Sequence, residues 1–300
     1  AFYLENELKK IDGKYVTDNG SPGEWVKEES YFFKLSEWQD KLINYYEKNP
    51  ESILPKTRYN EVLSFIKGGL KDLSISRTTF NWGVPVPNNS KHVMYVWIDA
   101  LCNYLTAIGY PDTNNNNYKK FWPATHIVGK DILRFHAVYW PAFLMAAGIE
   151  PPKRIFAHGW WTNEGQKISK SLGNVIDPYD IINEYGLDQI RFFLFREVPF
   201  GNDGDFSKKA IANRINADLS NNFGNLVQRI SSFAVKNNDS LLKPIENLTN
   251  EDQDLINTLQ NKFDEYCKFM NNQQIDRAIK SVLELISAGN AYVDTQAPWT

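Results

Sequence analysis

The sequence has few cysteines and no long apolar run, and each shortage excludes classes of protein. The two cysteines of the 300-residue chain, Cys102 and Cys267, lie far apart, and neither has a second thiol close by in sequence. This spacing argues against a disulfide framework or a four-thiolate zinc site and favours a reducing, cytoplasmic setting. No apolar run reaches the roughly 20 residues that a membrane-spanning helix needs, so we expect no membrane partner.

The chain also lacks an excess of charge of one sign. Its formal net charge is −3 and its isoelectric point is about 5.9, so no basic field covers the whole molecule. A nucleic acid partner would have to be held by local patches. With 42% hydrophobic and 23% charged residues, the composition is that of a globular chain long enough for about two domains.

An initiator methionine is absent as well. The sequence opens on alanine within what reads as structured sequence. Residues 297–300 resemble the start of another element, because proline is favoured at the first helical position. We therefore expect a fragment of a longer protein, for which the lack of a targeting signal carries little weight.

The middle of the chain alternates strand and helix patterns. Apolar runs predict buried strands at 93–98, at 125–129 and from Ile155, with helices between them that end near Gly109 and cover 132–147. This order predicts an α/β fold with a Rossmann-like parallel sheet, in which ligands bind at the carboxyl ends of the strands. Those ends carry Trp97, Asp99, Gly129, Lys130 and Asp131.

Helical spacing dominates the last third of the chain. Strand patterns stop near Phe206, and apolar residues over 211–233 predict one long amphipathic helix. Thr249 and Asp252 have the spacing of a capping box that opens a second helix, and apolar residues over 275–286 mark a third. We expect an all-α bundle here.

Two local patterns lie outside these regions. Residues 60–70 predict a helix within a first part of the chain whose periodicity is too short to decide a fold. The asparagine run 114–117, with a proline on either side, predicts a surface loop.

A pentapeptide rich in lysine and serine is the most informative chemical feature. Residues 167–171 read Lys-Ile-Ser-Lys-Ser and lie between a β-rich run at 154–161 and a helix start at 177–178, Asp-Pro, with a turn at 163–165 before them. Lysine ammonium groups are compact charges suited to a polyphosphate, and serine hydroxyls add hydrogen bonds without bulk. Taken alone, the pentapeptide fits either a phosphate-binding loop or an ordinary solvated loop.

Two more segments extend this pattern: 97–100 (Trp-Ile-Asp-Ala) and 129–136 (Gly-Lys-Asp-Ile-Leu-Arg-Phe-His). With the pentapeptide they resemble the class I aminoacyl-tRNA synthetases, in particular the methionine-specific family. The pentapeptide indicates the class, whereas the other two segments indicate methionine. The resemblance covers the whole chain, because four further segments recur in that family in the same order: 28–35, 73–77, 82–87 and 203–206.

One signature of that family is missing. The His-Ile-Gly-His type segment, which binds ATP in these enzymes, occurs nowhere in the sequence, and by resemblance it should precede residue 1. The resemblance implies four consecutive parts. These are the remainder of a connective insertion (1–72), the second half of a Rossmann-like catalytic domain (73–150), a signature-loop region (151–205) and an incomplete anticodon-binding helical bundle (206–300).

The resemblance implies ATP-dependent activation of L-methionine to methionyl-adenylate, followed by transfer to tRNA(Met). Mg²⁺ would accompany the ATP phosphates. Neither step needs a protein nucleophile, because such transfers depend on positioning and on stabilising charge. Lys167 and Lys170 are the implied catalytic residues, and Ser169 and Ser171 join them in binding ATP.

The resemblance also implies a methionine pocket. A polarizable, unbranched thioether calls for apolar and aromatic walls. Taken singly, Trp97 and Phe135 also fit a packed core, and Asp131 fits a helix cap. The family often has proline where this chain has Leu101. The matching positions are Arg77, Trp97, Ala100, Leu101, Tyr104, Asp131, Phe135 and His136.

Three residues of the predicted bundle match family positions that read the CAU anticodon: Asn225, Arg229 and Trp299. Asn225 and Arg229 are four residues apart and therefore share a helix face. Bases in single-stranded loops are recognised by stacking on aromatic or guanidinium groups and by hydrogen bonds to their edges, which these three side chains can provide.

A departure from the family concerns metal. Many members carry cysteine knuckles in the connective insertion, but 14–22 contains no cysteine, so we expect no zinc.

Two other functions stay open: another class I ligase, for valine, isoleucine, leucine or cysteine, and a tRNA-binding module without catalysis. The complete pentapeptide argues against the second, because a pure binder needs no pyrophosphate clamp.

Overall fold

This computed structural model of the chain describes residues 8–11, 14–16, 22–23, 28–168, 173–237 and 247–299. The chain divides into two compact units, each built from separate stretches of sequence. Unit 1 comprises Ala1–Ser52, Asn60–Ala124 and Arg134–Lys153, and unit 2 comprises Ile53–Tyr59, Thr125–Leu133 and Arg154–Thr300.

The described residues form short strands and mostly longer helices. In chain order the strands are β1 (Lys9–Ile11), β2 (Lys14–Val16), β3 (Phe32–Phe33), β4 (Ile53–Leu54), β5 (Leu73–Ser74), β6 (Ser76–Arg77), β7 (Pro85–Val86), β8 (Asn89–Met94), β9 (Thr125–Gly129), β10 (Arg154–His158), β11 (Trp161–Asn163), β12 (Gln166–Lys167) and β13 (Gly204–Phe206). The α-helices are α1 (Gln39–Lys48), α2 (Lys56–Lys67), α3 (Val96–Thr106), α4 (Asn116–Phe121), α5 (Trp140–Ala146), α6 (Pro178–Tyr185), α7 (Leu187–Arg196), α8 (Lys208–Arg214), α9 (Asn225–Asn237), α10 (Asn250–Asn271) and α11 (Ile275–Gln296).

The strands of unit 1 pair antiparallel. β1 pairs with β2, β3 pairs with β5, and β6, β8 and β7 form a three-stranded sheet in that order. One hydrophobic cluster in the core of this unit lies between α3 and α5, because both helices are rich in apolar residues. Its buried members are Leu101, Leu105, Trp122, Trp140 and Leu144.

Unit 2 contains the parallel sheet. β10 lies between β4 and β9 and runs parallel to both, with Ile155 opposite Ile53 and His126. The three central residues of β10 are buried, as expected for a strand covered on both faces. Gly129 at the end of β9 lies opposite His158 at the end of β10, so the chain leaves both strands at the same edge of the sheet.

A hairpin and a helical region follow the parallel sheet in sequence. β11 pairs antiparallel with β12 and parallel with β13. α6, α7, α8 and β13 enclose a second core, made of Ile181, Ile190, Phe193, Phe206 and Ile211. The helical path continues from α8 through a π-helical segment, Ile215–Gly224, into α9, and α10 packs against α11 with Lys262 Nζ 2.7 Å from Glu284 Oε2.

Several sequence predictions are confirmed. The α/β class with a parallel sheet and a helical C-terminal region is observed. The predicted strand at 125–129 is β9, and the turn at 163–165 has positive φ at Glu164 and Gly165. The Thr249 hydroxyl accepts the Asp252 backbone N–H while the Asp252 carboxylate accepts the Thr249 N–H, which completes the predicted capping box.

The strand predicted at 93–98 is wrong. β8 ends at Met94 and pairs antiparallel with β6 and β7, and α3 begins at Val96. Trp97 and Asp99 are therefore helical residues and do not end a parallel strand. A continuous apolar run fits a buried strand and a buried helix equally, so periodicity could not locate the boundary. The third strand of the parallel sheet is β4, whose two residues are too few to give a pattern.

Three helix predictions need correction in detail. The helix expected at 60–70 is α2 and lies slightly earlier in the chain. The asparagine run is only partly a loop, because the Asn115 side chain accepts the Asn117 N–H and starts α4. The long helix over 211–233 is continuous but contains the π-helical segment, after which Ile230 is 47% exposed instead of facing a core.

Candidate active site

Four predicted methionine-binding residues come together in unit 1. Trp97 stacks on Phe135 with ring centroids 3.8 Å apart and planes 11° apart. His136 meets the edge of Trp97 at 6.1 Å between centroids, and the Tyr104 hydroxyl lies 2.9 Å from His136 Nε2. The result is an aromatic wall that carries one phenol and one imidazole as its polar groups.

Local structure explains how this wall forms. Trp97 and Tyr104 are seven residues apart on α3 and therefore share a face. Phe135 and His136 open a π-helical turn, Phe135–Tyr139, that leads into α5. Such turns insert an extra residue into the helical path and are frequent at functional sites. The packing of α3 on α5 sets the two pairs of side chains against each other.

The other two predicted methionine-binding residues on α3, Ala100 and Leu101, differ in exposure to solvent. Ala100 is exposed, whereas Leu101 is fully buried among the apolar side chains of the unit 1 core. Leu101 thus supports the wall from behind. Burial raises the pKa of Tyr104 above its ordinary value of 10.0, so its hydroxyl keeps its proton and can donate a hydrogen bond at neutral pH.

Arg77 lies in a polar network of its own within unit 1. Its Nη1 donates to Ser74 Oγ at 2.8 Å and to the Ser76 carbonyl at 2.6 Å, and its guanidinium lies 4.4 Å from the centroid of the Tyr95 ring. Only 5% of Arg77 is exposed. Glu28 accepts the backbone N–H groups of 78–79; burial alone would raise its pKa, but these hydrogen bonds outweigh burial and lower it.

A second group of functional side chains lies in unit 2, where β9 and β10 end. Asp131 Oδ1 accepts a hydrogen bond from Trp160 Nε1 at 3.2 Å. Lys130 Nζ donates to both Asp203 oxygens, at 2.6 and 2.7 Å, and lies 4.4 Å from the centroid of the Trp160 ring. The Trp160 backbone N–H donates to Asp203 Oδ1 at 2.8 Å. Asp131 therefore belongs to a built cluster and is not an isolated surface carboxylate.

This cluster depends on close backbone approach. A Cβ at Gly159 would lie 2.2 Å from the Asn202 carbonyl oxygen, and a Cβ at Gly129 would lie 2.6 Å from Asp131 Oδ1. The first contact is with backbone, which cannot easily move aside, and the second would displace the Asp131 carboxylate. Glycine at these two positions lets the segment that carries Asp203 and the carboxylate of Asp131 reach their places.

The hairpin β11–β12 carries Lys167, the first lysine of the pentapeptide. Lys167 ends β12, and its Nζ lies 5.8 Å from the centroid of the Trp160 ring. Asn174 ties the chain to this hairpin. Its side-chain amide donates to the Lys167 carbonyl at 3.0 Å, and its backbone carbonyl accepts from the Asn163 side-chain amide at 3.0 Å. Three predicted ATP-binding residues, Ser169, Lys170 and Ser171, lie outside the described residues.

The segment 203–206, predicted only to match the family, has its two aspartates in hydrogen bonds and its phenylalanine in the core. Asp203 holds Lys130 and the Trp160 backbone, as described above. Asp205 Oδ1 accepts from Thr162 Oγ1 at 2.5 Å and from the Gly165 N–H at 2.7 Å, which fixes the hairpin turn. Phe206 is buried in the core. The alternation of polar and apolar residues in this strand was the signal that could have revealed these roles.

Two of the three predicted anticodon residues, Arg229 and Trp299, lie against each other, and Asn225 lies one helical turn before Arg229 on α9. Arg229 Cζ lies 5.5 Å from the centroid of the Trp299 ring, and its Nη2 donates to Asp294. Asn225 Nδ2 donates to Asn290 Oδ1 at 3.2 Å. Trp299 is 57% exposed. This surface of unit 2 therefore presents a guanidinium, an amide and an indole.

Within the described ranges, no group of three or more histidine, cysteine, aspartate and glutamate side chains is arranged to hold a metal ion. No helix in the same ranges is both long and apolar enough to cross a bilayer.

The fold and these clusters correspond to a known class. A family model described as tRNA synthetases class I (M) matches residues 6–231, and a second, described as the anticodon binding domain of methionyl tRNA ligase, matches 245–300. Because the first match covers well over half of the chain, the chain belongs to the class I tRNA synthetases of this M family.

Individual relatives point to the same family. A methionine–tRNA ligase of Rickettsia conorii is 55% identical over 303 residues, covering all of this chain and 59% of that protein. A methionine–tRNA ligase of Mesorhizobium japonicum is 55% identical over 300 residues, and the match covers all of this chain and 58% of that protein. The crystal structure of Mycobacterium tuberculosis methionyl-tRNA synthetase bound by methionyl-adenylate is 48% identical, with a TM-score of 0.94 over 99% of this chain and 59% of that one. The chain thus spans about three fifths of the length of these relatives.

Proposed function

We propose that the chain is part of a methionine–tRNA ligase, which activates L-methionine with ATP and transfers it to tRNA(Met). The observation that carries this proposal is the aromatic wall of unit 1, in a chain of the M family. Trp97 and Phe135 stack, and His136 with Tyr104 supplies two polar atoms at their side. A flat, polarizable wall suits the thioether of methionine.

Selection of methionine would rest on both parts of this wall. Shape alone discriminates weakly, by about 1 to 3 kcal/mol per methylene. A hydrogen-bonding pair next to the sulfur adds a preference that a purely aliphatic side chain cannot satisfy. Arg77 and Asp131 are proposed to bind the charged end of the amino acid, because they carry the opposite charges that a carboxylate and an ammonium group require.

The chemistry would proceed without a protein nucleophile. A methionine carboxylate oxygen forms a bond to the α-phosphorus of ATP, and the bond to the bridging oxygen breaks to release pyrophosphate. The terminal tRNA hydroxyl then attacks the methionyl carbonyl, and AMP leaves. Lys167 and Lys170, with Ser169 and Ser171, are proposed to stabilise charge on the phosphates. Mg²⁺ would arrive with ATP as part of the substrate.

Recognition of tRNA is proposed for the helical region. Asn225, Arg229 and Trp299 would read the anticodon bases by stacking and by hydrogen bonds to base edges. We assign residues 206–300 to this bundle, 151–205 to the signature-loop region, 73–150 to the catalytic fold and 1–72 to the connective insertion. We further propose that the protein acts in the cytoplasm, where tRNA is charged for translation.

Zinc has no place in this proposal. The segment 14–22 lacks cysteine, and Cys102 and Cys267 have no second thiol close by in sequence. Metal analysis of the purified complete protein tests this point, and stoichiometric zinc would contradict it.

The deciding experiment is amino-acid-dependent exchange between ATP and labelled pyrophosphate, measured with the complete protein. We expect exchange with methionine and at most weak exchange with valine, isoleucine, leucine or cysteine. Exchange with one of those four but not with methionine would assign a different class I ligase. Binding of tRNA(Met) without exchange for any amino acid would leave a tRNA-binding module.

A further inference from the structure

Trp160 makes more polar and charge contacts than a packing residue needs. Its indole N–H donates to Asp131, its backbone N–H donates to Asp203, and the ammonium groups of Lys130 and Lys167 lie 4.4 and 5.8 Å from the centroid of its ring. The residue is 46% exposed. A tryptophan retained only for burial would be covered more completely and would leave its ring face to apolar neighbours.

The neighbours of Trp160 connect two proposed binding functions. Asp131 is a proposed methionine ligand, and Lys167 is a proposed ATP ligand. The two are 36 positions apart in sequence, but one indole in unit 2 donates a hydrogen bond to Asp131 and lies within cation–π range of Lys167, 5.8 Å from its ring centroid to Nζ. Lys130 is held separately, because its ammonium group is paired with Asp203 at 2.6 Å. Lys167 is thus the lysine whose position the Trp160 ring can influence most.

We propose that Trp160 is a positioning residue that holds the Asp131 carboxylate through its indole N–H and retains the Lys167 ammonium on its ring until phosphate is present. This inference rests on the proposed function and names a residue that acts through two others. The indole dipole fixes one carboxylate oxygen and leaves the second free for an ammonium group of a substrate. The ring attracts Lys167 without neutralising it.

The strengths of the two contacts make such an exchange possible. A lysine over a partly exposed aromatic ring is held only weakly, whereas an ammonium group on a phosphate forms a charge-assisted hydrogen bond. Phosphate therefore outcompetes the ring when ATP binds. Before that, the ring keeps the lysine near the site without neutralising its charge.

Two substitutions separate the two contacts. Trp160→Phe keeps an aromatic face for Lys167 but removes the N–H that Asp131 accepts. Trp160→Leu removes both. In the complete protein, we expect Trp160→Phe to raise the KM for methionine in pyrophosphate exchange about tenfold with kcat nearly unchanged, as for loss of a hydrogen bond to a charged group. Trp160→Leu should in addition lower kcat by about two- to fivefold, the range of an exposed cation–π contact.

A double-mutant cycle tests whether the second effect passes through Lys167. In a Lys167→Ala background, the kcat loss caused by Trp160→Leu should disappear. A loss of unchanged size in that background, or a methionine KM in Trp160→Phe equal to that of the wild type, would overturn the proposal.

The reactivity of lysines towards acetic anhydride, measured by mass spectrometry without substrates, reads the ring contact independently of activity. We expect Trp160→Leu to increase the modification rate of Lys167 about two- to fivefold. Trp38→Leu is the matched control, because Lys41 Nζ lies 3.9 Å from the centroid of the Trp38 ring, outside the proposed site. It should increase the reactivity of Lys41 and leave Lys167 unchanged. Equal Lys167 reactivity in Trp160→Leu and wild type would also overturn the proposal.

The outcomes separate this inference from the proposed function. A wild-type protein without methionine-dependent exchange contradicts the function, and the lysine reactivities still decide the ring contact. A wild-type protein with normal exchange whose Trp160 variants behave like wild type contradicts only the inference. If Trp160→Leu does not fold, as judged by circular dichroism, the methionine KM of Trp160→Phe decides.

Discussion

The Tyr104 hydroxyl joins the two halves of the aromatic wall through one hydrogen bond. It lies 2.9 Å from His136 Nε2, and His136 is 1% exposed. Tyr104→Phe removes this bond and keeps the ring. We expect the KM for methionine to rise by about two- to tenfold, as for loss of one neutral hydrogen bond, while kcat changes little. Steady-state pyrophosphate exchange measures both values.

The preference for methionine over norleucine is a second measurement, which a general loss of stability would not change. Norleucine has the shape of methionine without sulfur, so the preference for methionine over norleucine should fall in Tyr104→Phe. Tyr110→Phe is the matched control, because Tyr110 contacts Tyr118 and no member of the aromatic wall. An unchanged preference in Tyr104→Phe would show that the hydroxyl plays no part in selecting sulfur.

Asp203 makes part of the unit 2 cluster dependent on pH. Hydrogen bonds from Lys130 and from the Trp160 backbone hold its pKa below the ordinary value of 3.8. A carboxylate with a lowered folded-state pKa stabilises the fold above its unfolded-state pKa, and this stabilisation is lost as pH falls through the lower folded value. We therefore expect Asp203→Asn to be less stable than wild type at neutral pH.

The difference between the two proteins should close in acid. Asparagine can still accept the Trp160 N–H but cannot pair with Lys130, so the comparison isolates the charge. Urea unfolding midpoints should differ at neutral pH and converge as pH falls below the ordinary carboxylate pKa of 3.8 and the wild-type carboxylate becomes protonated. A difference that stays constant over this range would mean that packing and not charge separates them.

At the scale of one element, α10 shows how strongly a local sequence can set a boundary. Thr249 and Asp252 exchange hydrogen bonds at its N-terminus, 3.2 Å from the Asp252 N–H to Thr249 Oγ1 and 2.8 Å from the Thr249 N–H to Asp252 Oδ2. Asp252 also accepts from the Tyr292 hydroxyl of α11. Thr249→Ala should lower the free energy of unfolding by about 1 kcal/mol, because one N-terminal helix N–H loses its acceptor.

Thr258→Ala is the control within the same helix. The Thr258 hydroxyl donates to the Asp254 carbonyl in the exposed middle of α10, a bond that the helix does not need. Its loss should change stability little, since alanine is the better helix former. Chemical denaturation followed by far-ultraviolet circular dichroism compares the two. Equal destabilisation by both substitutions would remove the special role of the cap.

The same contrast between local and distant interactions explains what the sequence could predict. The capping box, the turn at 163–165 and β9 were predictable because their signals lie within a few residues. The boundary between β8 and α3 was not predictable, because the extent of β8 depends on its pairing with β6 and β7. An apolar run does not encode that pairing. The π-helical turn at Phe135–Tyr139 has no local signature either.

The residues of the candidate site also differ in how far the sequence could predict them. The resemblance to the family implied that Trp97, Tyr104 and His136 line one pocket, and their side chains lie against one another. Trp160 was read only as part of a β-rich run. Its role depends on Asp131 and Asp203, which are 29 and 43 positions away in the chain. Such contacts follow from packing of the whole unit and leave no periodic trace in the sequence.

At the scale of the whole molecule, the proposed methionine-binding wall and the proposed anticodon-reading residues belong to different compact units. The aromatic wall lies in unit 1, whereas Arg229 and Trp299 lie in the helical region of unit 2. Pyrophosphate exchange needs methionine and ATP but no tRNA. A residue that only reads the anticodon should therefore affect aminoacylation and leave exchange intact.

Trp299→Ala tests this separation. Base stacking on an aromatic residue contributes about 1 to 3 kcal/mol, so kcat/KM for tRNA(Met) aminoacylation should fall by roughly 5- to 150-fold, mainly through KM. Exchange should stay near the wild-type rate. Phe263→Ala is the control, because Phe263 is an aromatic residue of the same region with nearly the same exposure, 58% against 57% for Trp299. It should leave both activities unchanged. A parallel fall of exchange and aminoacylation in Trp299→Ala would instead assign Trp299 to the packing of the helical region, where its ring meets Arg229.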